Sequence, residues 1–288
     1  MKKVSVSVSP VLSAFDDTNI SFWHRSGIAL TAFLAILRRD IVVTRRDSID
    51  FLTQALLQSL FFLFIFGKLL PLVGIAQQNF VSVLLPGIVV LTVVIAAMQS
   101  VSLPMVLDLG YAREIDDRLL APLPIIMVGI EKVVFASLRG IIAGVLVFPF
   151  AYLILGDQYH VSLNAIGLIA GILLLSAFVG ASMGIMVGTL VKASKVSLMF
   201  ALIFIPLTFT GCTYYQWGTL APLRWFQIAT LFNPLTYASE GMRYAMSPTL
   251  HSALFAKLGI GGAFLELGAI GALCFGLGLW AFHRRVVL

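Results

Sequence analysis

The chain has 288 residues, 60% of them hydrophobic and only 11% charged, with a mean hydropathy of +1.02. A soluble globular chain carries about 25% charged residues, so that class is excluded, and the apolar runs are long enough to cross the ~30 Å hydrocarbon core as helices. The net charge of +6 is assigned to basic residues on the cytoplasmic face, and no basic run is interleaved with aromatics as nucleic-acid binding would require.

Residues 1–22 are polar and Ser-rich, and read as a flexible cytoplasmic arm. They begin with Lys2-Lys3 but continue polar, so they are not read as a cleavable signal peptide. Residues 28–37 are apolar, bounded by His24-Arg25 and by Arg38-Arg39-Asp40. That run is too short to span. Segment 23–50 reads as a helix lying in the membrane interface, with a short soluble helix as the alternative.

Residues 51–288 read as one all-α integral membrane domain of six transmembrane helices. The predicted spans are about 51–70, 81–107, 125–155, 163–191, 196–210 and 258–282. The segment 211–257 is neither clearly a span nor clearly aqueous. No internal repeat supports an inverted-repeat transporter. Of the 19 Lys and Arg residues, all but six fall on the side of the N-terminus: Lys68, Arg224, Arg243 and Lys257 lie opposite, and Lys132 and Arg139 lie within the third span. This bias places both termini in the cytoplasm and 211–257 outside. Gly180, Gly184 and Gly188 repeat every four residues in the fourth span, where small residues let helix backbones meet. Lys132 and Arg139 share a face of the third span, beside Glu131. Lys132 reads as snorkelling to the headgroups, whereas Arg139 is deeper and should face protein or water. The cysteines, Cys212 and Cys274, sit at different depths, so no disulfide is predicted.

Two polar segments carry the function. Between the second and third spans, Arg113, Glu114, Asp116, Asp117 and Arg118 precede Leu119-Leu120, and Pro122 and Pro124 follow. This pattern reads as a short amphipathic helix stopped by proline, either a plain connector or a docking helix for a soluble partner. Before the last span, Asn233 is a good N-cap, Pro234 fits the first helical turn, and Glu240 and Arg243 stand three apart on one face. Leu235, Tyr237 and Met242 would embed that helix partly in the outer leaflet, with a surface helix as the alternative.

Together these segments resemble the ABC-2 type permease family, the membrane subunits of bacterial ATP-binding-cassette exporters. The family's external motif, roughly Asn-Pro-Leu-x-Tyr-x-x-Glu-x-x-Arg, is matched at Asn233, Pro234, Leu235, Tyr237, Glu240 and Arg243. Its cytoplasmic loop is matched at Glu114, at Asp117-Arg118-Leu119-Leu120 and at Pro124. Lys132 fits the family's Gly-Lys, with Glu131 in place of the Gly. Leu85-Pro86-Gly87 resembles the daunorubicin-resistance-type drug exporters.

The resemblance implies a bacterial inner-membrane assembly of two permeases, of the same chain or homologues, with two copies of a nucleotide-binding ATPase. ATP and magnesium would bind that partner and no cofactor would bind this chain. Residues 113–124 would be the coupling helix, and the 23–50 helix would rest against the same ATPase. The substrate path would come from spans one, two and five, which offer Gln54, Gln58, Phe62, Gln99, Phe200 and Phe204. An aromatic wall with a few amides suits an amphipathic drug or lipid; a polysaccharide or lipid-linked glycan is the alternative. The chain has no phosphate-binding loop of its own. An enzyme is disfavoured by scattered histidines and the absence of a Gly-x-Ser-x-Gly elbow or His-Glu-x-x-His. An ATP-independent channel or secondary transporter draws its support from Glu131, Lys132 and Arg139.

Overall fold

A computed structural model describes residues 22–74, 80–107, 125–156, 165–191, 193–247 and 252–287, and among these the chain is helical with no strand. The predicted arm, 1–22, falls almost wholly outside the described residues. Helix α1 (Phe22–Phe62) runs without a break into a π-helical stretch, Leu63–Leu69, and a final turn, Leu70–Leu72. The boundary predicted near residue 50, between an interfacial helix and a first span, is therefore absent from the backbone. Arg38, Arg39 and Asp40 interrupt the apolar run, but Arg is a good helix former and nothing there breaks the hydrogen-bond ladder. Polarity changes where the helix does not.

Helix α2 (Phe80–Leu107) is the centre of the bundle, and every residue from Leu84 to Val94 is buried. Such a helix, apolar on all sides, is stable only when surrounded. Helix α3 (Ile125–Leu155) and helix α4 (Ile166–Leu190) pack on it, and α4 carries α8 (Ala253–Val287) on its other side. Helix α8 is broken by Gly259, at φ 69° and ψ 169°. Between α4 and α8 lie α5 (Val196–Thr210), α6 (Arg224–Thr230) and α7 (Pro234–Met246).

The helices long and apolar enough to cross a membrane, among the described residues, cover Ile49–Leu72, Phe80–Leu107, Ile126–Leu155, Ile166–Leu190 and Ala253–Arg285, which makes five. The predicted fifth span, α5, has 15 residues, about 22 Å of helix, and does not reach that length. It stops at Thr210, where the chain turns back towards α7.

Close helix approach explains the glycine pattern. A Cβ on Gly180 would lie 2.5 Å from the Val94 carbonyl oxygen, and one on Gly184 would lie 2.6 Å from that of Met98. From the other side, a Cβ on Gly140 of α3 would lie 2.7 Å from the Val93 carbonyl oxygen. Helix α2 is thus gripped between two backbones at van der Waals contact, the packing that holds helices together where lipid removes the hydrophobic drive.

Candidate functional site

The motif before the last span builds a buried clasp. Helix α7 starts as the sequence predicts: the Asn233 side-chain oxygen accepts the Leu235 N–H at 2.9 Å, and Pro234 occupies the first turn. The Asn233 amide nitrogen also donates to the Leu207 carbonyl at 2.8 Å and to Thr210 Oγ1 at 2.9 Å, tying α7 to the end of α5. Every residue of α7 except Tyr244 is buried. The helix is therefore inside the bundle, rather than on the surface or only partly embedded in a leaflet. Leu235 and Tyr237 pack into the apolar core.

Glu240 and Arg243 face each other across one turn, with Arg243 Nη1 2.8 Å from Glu240 Oε1. Both are 1% exposed, so the pair stands or falls on its other hydrogen bonds, and every side-chain nitrogen and oxygen of the two has at least one partner. Arg243 Nε donates to the Val83 carbonyl of α2 at 2.9 Å, and Nη2 donates to the carbonyls of Thr213, at 2.8 Å, and of Cys212. The Glu240 carboxylate accepts the Trp217 N–H at 2.8 Å and the Ser252 hydroxyl at 2.5 Å. Two side chains thus fasten α2, the turn after α5 and the start of α8 to one helix. Cys212 sits at φ 51°, in the left-handed region, where its carbonyl reaches Arg243. Burial, and secondarily the Glu240 charge, push its thiol up to about 11. The Leu85-Pro86-Gly87 motif serves this contact: a Cβ on Gly87 would lie 2.0 Å from the Thr213 carbonyl oxygen.

Below the clasp, α1, α2 and α5 enclose an open recess. Gln54, Gln58, Phe62 and Gln99 line a cavity of about 50 Å³ that opens outward, with Ser59 and Thr92 at its floor. A second, more open volume of about 160 Å³ continues it past Phe204, Thr208 and Phe209. The structure therefore brings Gln54, Gln58, Phe62, Gln99 and Phe204 to one place; the side chain of Phe200 lies outside the described residues. Ser59 Oγ and Thr92 Oγ1 lie 2.6 Å apart, and Thr92 donates on to the Ile88 carbonyl at 2.7 Å. An aromatic cluster joins recess and clasp: the Tyr214 ring lies 5.6 Å from Phe62 and 6.0 Å from Phe209.

The cations of α3 engage α1. Lys132 Nζ lies 2.5 Å from Asp40 Oδ2 and 3.8 Å from the buried Glu131 carboxylate. It is held by protein rather than snorkelling to the surface, a partner 92 residues away in sequence. The Arg139 guanidinium lies over the Phe51 ring at 3.7 Å from its centre, a cation–π contact. Trp217, Ser252, Thr92 and Asp40 are the partners that motif reading misses, because nothing local in the sequence marks them. Cys212 and Cys274 are free thiols. The predicted coupling residues, Arg113, Glu114, Asp116, Asp117, Arg118, Leu119, Leu120, Pro122 and Pro124, lie outside the described residues.

A family model described as ABC-2 type transporter matches residues 31–247. Over 219 residues the chain is 25% identical to the inner membrane transport permease YadH of Escherichia coli strain K12, covering 74% of this chain and 82% of that one. The permeases of the same name from Escherichia coli O157:H7 and Shigella flexneri match to the same extent. No solved structure matches the chain at a significant level.

Proposed function

The chain belongs to the ABC-2 type transporter family, and from that premise we propose that it is the permease subunit of an ATP-driven exporter, moving an amphipathic drug- or lipid-like molecule out of the cytoplasm or the inner leaflet. The observation that carries this reading is the recess, where Gln54, Gln58 and Gln99, on two helices long enough to span, meet Phe62 and Phe204. Amides exposed on a spanning helix belong against protein or a water-filled path. A lipid-linked glycan is the second reading, favoured by the three glutamine side chains.

In this proposal ATP and magnesium are bound and hydrolysed by two copies of a separate nucleotide-binding subunit. A second permease, the same chain or a homologue, completes the path across the inner membrane, with both termini cytoplasmic. Residues 113–124 couple to the ATPase. Helix α1 gives the coupling a mechanical route. It carries Gln54 and Gln58 on the recess wall, and it is joined to α3 through Asp40–Lys132 and Phe51–Arg139. A shift of its first turns would be felt at the recess, and the clasp above would hold the outer end shut until that shift arrives.

Co-expression with the neighbouring ATPase and purification in mild detergent tests the assembly. The expected result is a complex whose ATP turnover is stimulated by the permease, lost when Glu114 and Asp117 are both changed to Lys. A permease that purifies alone, and moves solute along a gradient without ATP, would overturn the proposal in favour of a channel or secondary transporter.

A further inference from the structure

The recess combines hydrogen-bonding capacity with an absence of charge. Among the described residues, none of the side chains lining either part of it is Asp, Glu, Lys, Arg or His. The nearby cations of α3 are committed elsewhere, Lys132 to Asp40 and Arg139 to the Phe51 ring. The hydroxyls at the floor are spent on each other and on the Ile88 carbonyl. Besides the Thr208 hydroxyl in the second part, the remaining capacity belongs to Gln54, Gln58 and Gln99, each an amide with two donors and an acceptor carbonyl. Gln54 and Gln58 stand one turn apart on α1 and are exposed, so they contribute to the recess rather than to holding the bundle. Phe62, Phe204 and Phe209 supply the apolar wall.

The nearest described charge along α1, Asp50, stands one turn before Gln54 and outside the lining, so a charged group seated on the glutamines would leave water without a counter-ion in contact, where an unpaired charge is costly. A group with both donors and acceptors and no net charge would meet its match. We infer that the recess selects a nonionic amphiphile: an uncharged head bearing hydroxyls or carboxamides, seated on the glutamine amides, with its apolar body against the three phenylalanines. This rests on the reading of the recess as the substrate path.

The test uses three photoreactive decyl amphiphiles, with maltoside, trimethylammonium or phosphate heads, on the permease–ATPase complex in lipid nanodiscs. Crosslinks are mapped by mass spectrometry and half-saturation is measured without ATP. The maltoside probe should label the recess at a concentration lower by about tenfold or more than either charged probe. Gln58→Glu should move the preference to the ammonium head, and Gln54→Glu, at the other exposed position, should do the same. Equal labelling by a charged probe in the wild type would overturn the inference. So would a Gln58→Leu variant that separates the two permeases on size exclusion while maltoside labelling persists, since the amides would then serve the second copy. Binding is scored apart from transport. Neutral-selective labelling with no ATP-driven release would sink the exporter reading alone, and ATP-driven release with no head-group preference would sink this inference alone.

Discussion

Replacing Glu240 by alanine removes the centre of the clasp. The Arg243 guanidinium stays buried at 1% exposure with only carbonyl partners, and the Trp217 N–H and Ser252 hydroxyl lose their acceptor. Breaking a buried pair on one side costs about 3–5 kcal/mol, and the orphaned donors are part of that figure rather than an addition to it. At about 1.36 kcal/mol per power of ten, the opening equilibrium of the clasp should rise by roughly two to nearly four powers of ten. Cys212 reports the opening. Its carbonyl is held by Arg243, and its thiol, buried and pushed up to about 11, is inert while the clasp is shut. The assay is the rate of maleimide labelling of Cys212 in a Cys274→Ala background, in nanodiscs, where labelling follows the open fraction. Loss of the Glu240 charge also lowers the thiol's pKa, so Arg243→Met is measured beside it. Ionisation alone would drive the two variants in opposite directions, because Glu240 raises that pKa and Arg243 lowers it. Opening drives both upward. A labelling rate unchanged by Glu240→Ala, or slowed by Arg243→Met, would refute the reasoning.

Three other perturbations follow from the packing. Gly87→Ala should prevent recovery of monodisperse protein, since its Cβ would lie 2.0 Å from the Thr213 carbonyl oxygen; Gly268→Ala in α8, with nothing within 4 Å, should fold and gain up to about 1 kcal/mol in thermal unfolding. Lys132→Met should destabilise more than Asp40→Asn, about 1–3 kcal/mol each, because it strips a cation from Asp40 and from Glu131 at 3.8 Å; the exchange Asp40→Lys with Lys132→Asp should recover part of the loss in the same unfolding assay. Asn233→Ala should cost about 1–3 kcal/mol, since it removes the α7 cap and both bonds to the end of α5.

The readable parts of this chain were those written locally. Helix α3 begins after Pro124 and ends before Gly156, where the apolar run itself ends. The Gly180, Gly184 and Gly188 spacing announced a close helix contact, which proved to be with α2. Asn233, Pro234 and the Glu240–Arg243 spacing announced a capped helix with an internal pair. What escaped was contact across long sequence distance. Asp40 and Lys132 are 92 residues apart, and Ser59 and Thr92 are 33 apart. The burial of α7 also escaped, because its polar groups are matched mostly by backbone carbonyls and an N–H of distant segments, which carry no residue-specific signal. The continuity of α1 was hidden for a different reason: apolar periodicity reports what surrounds a helix, and α1 passes from polar to apolar surroundings without ending.

That continuity has a mechanical meaning. The 41 residues of α1 amount to about 60 Å of stiff rod, and a rod transmits torque as well as thrust. Its far end is wound differently: over Leu63–Leu69 the ladder steps five residues instead of four. Unwinding that collar into ordinary α-turns would rotate the two segments it joins against each other, and Phe62, at its lower edge, would swing relative to Tyr214. A twist delivered at the Phe22 end would thus be absorbed at the collar, whose own Phe66 packs on Tyr214 in the aromatic cluster over the recess.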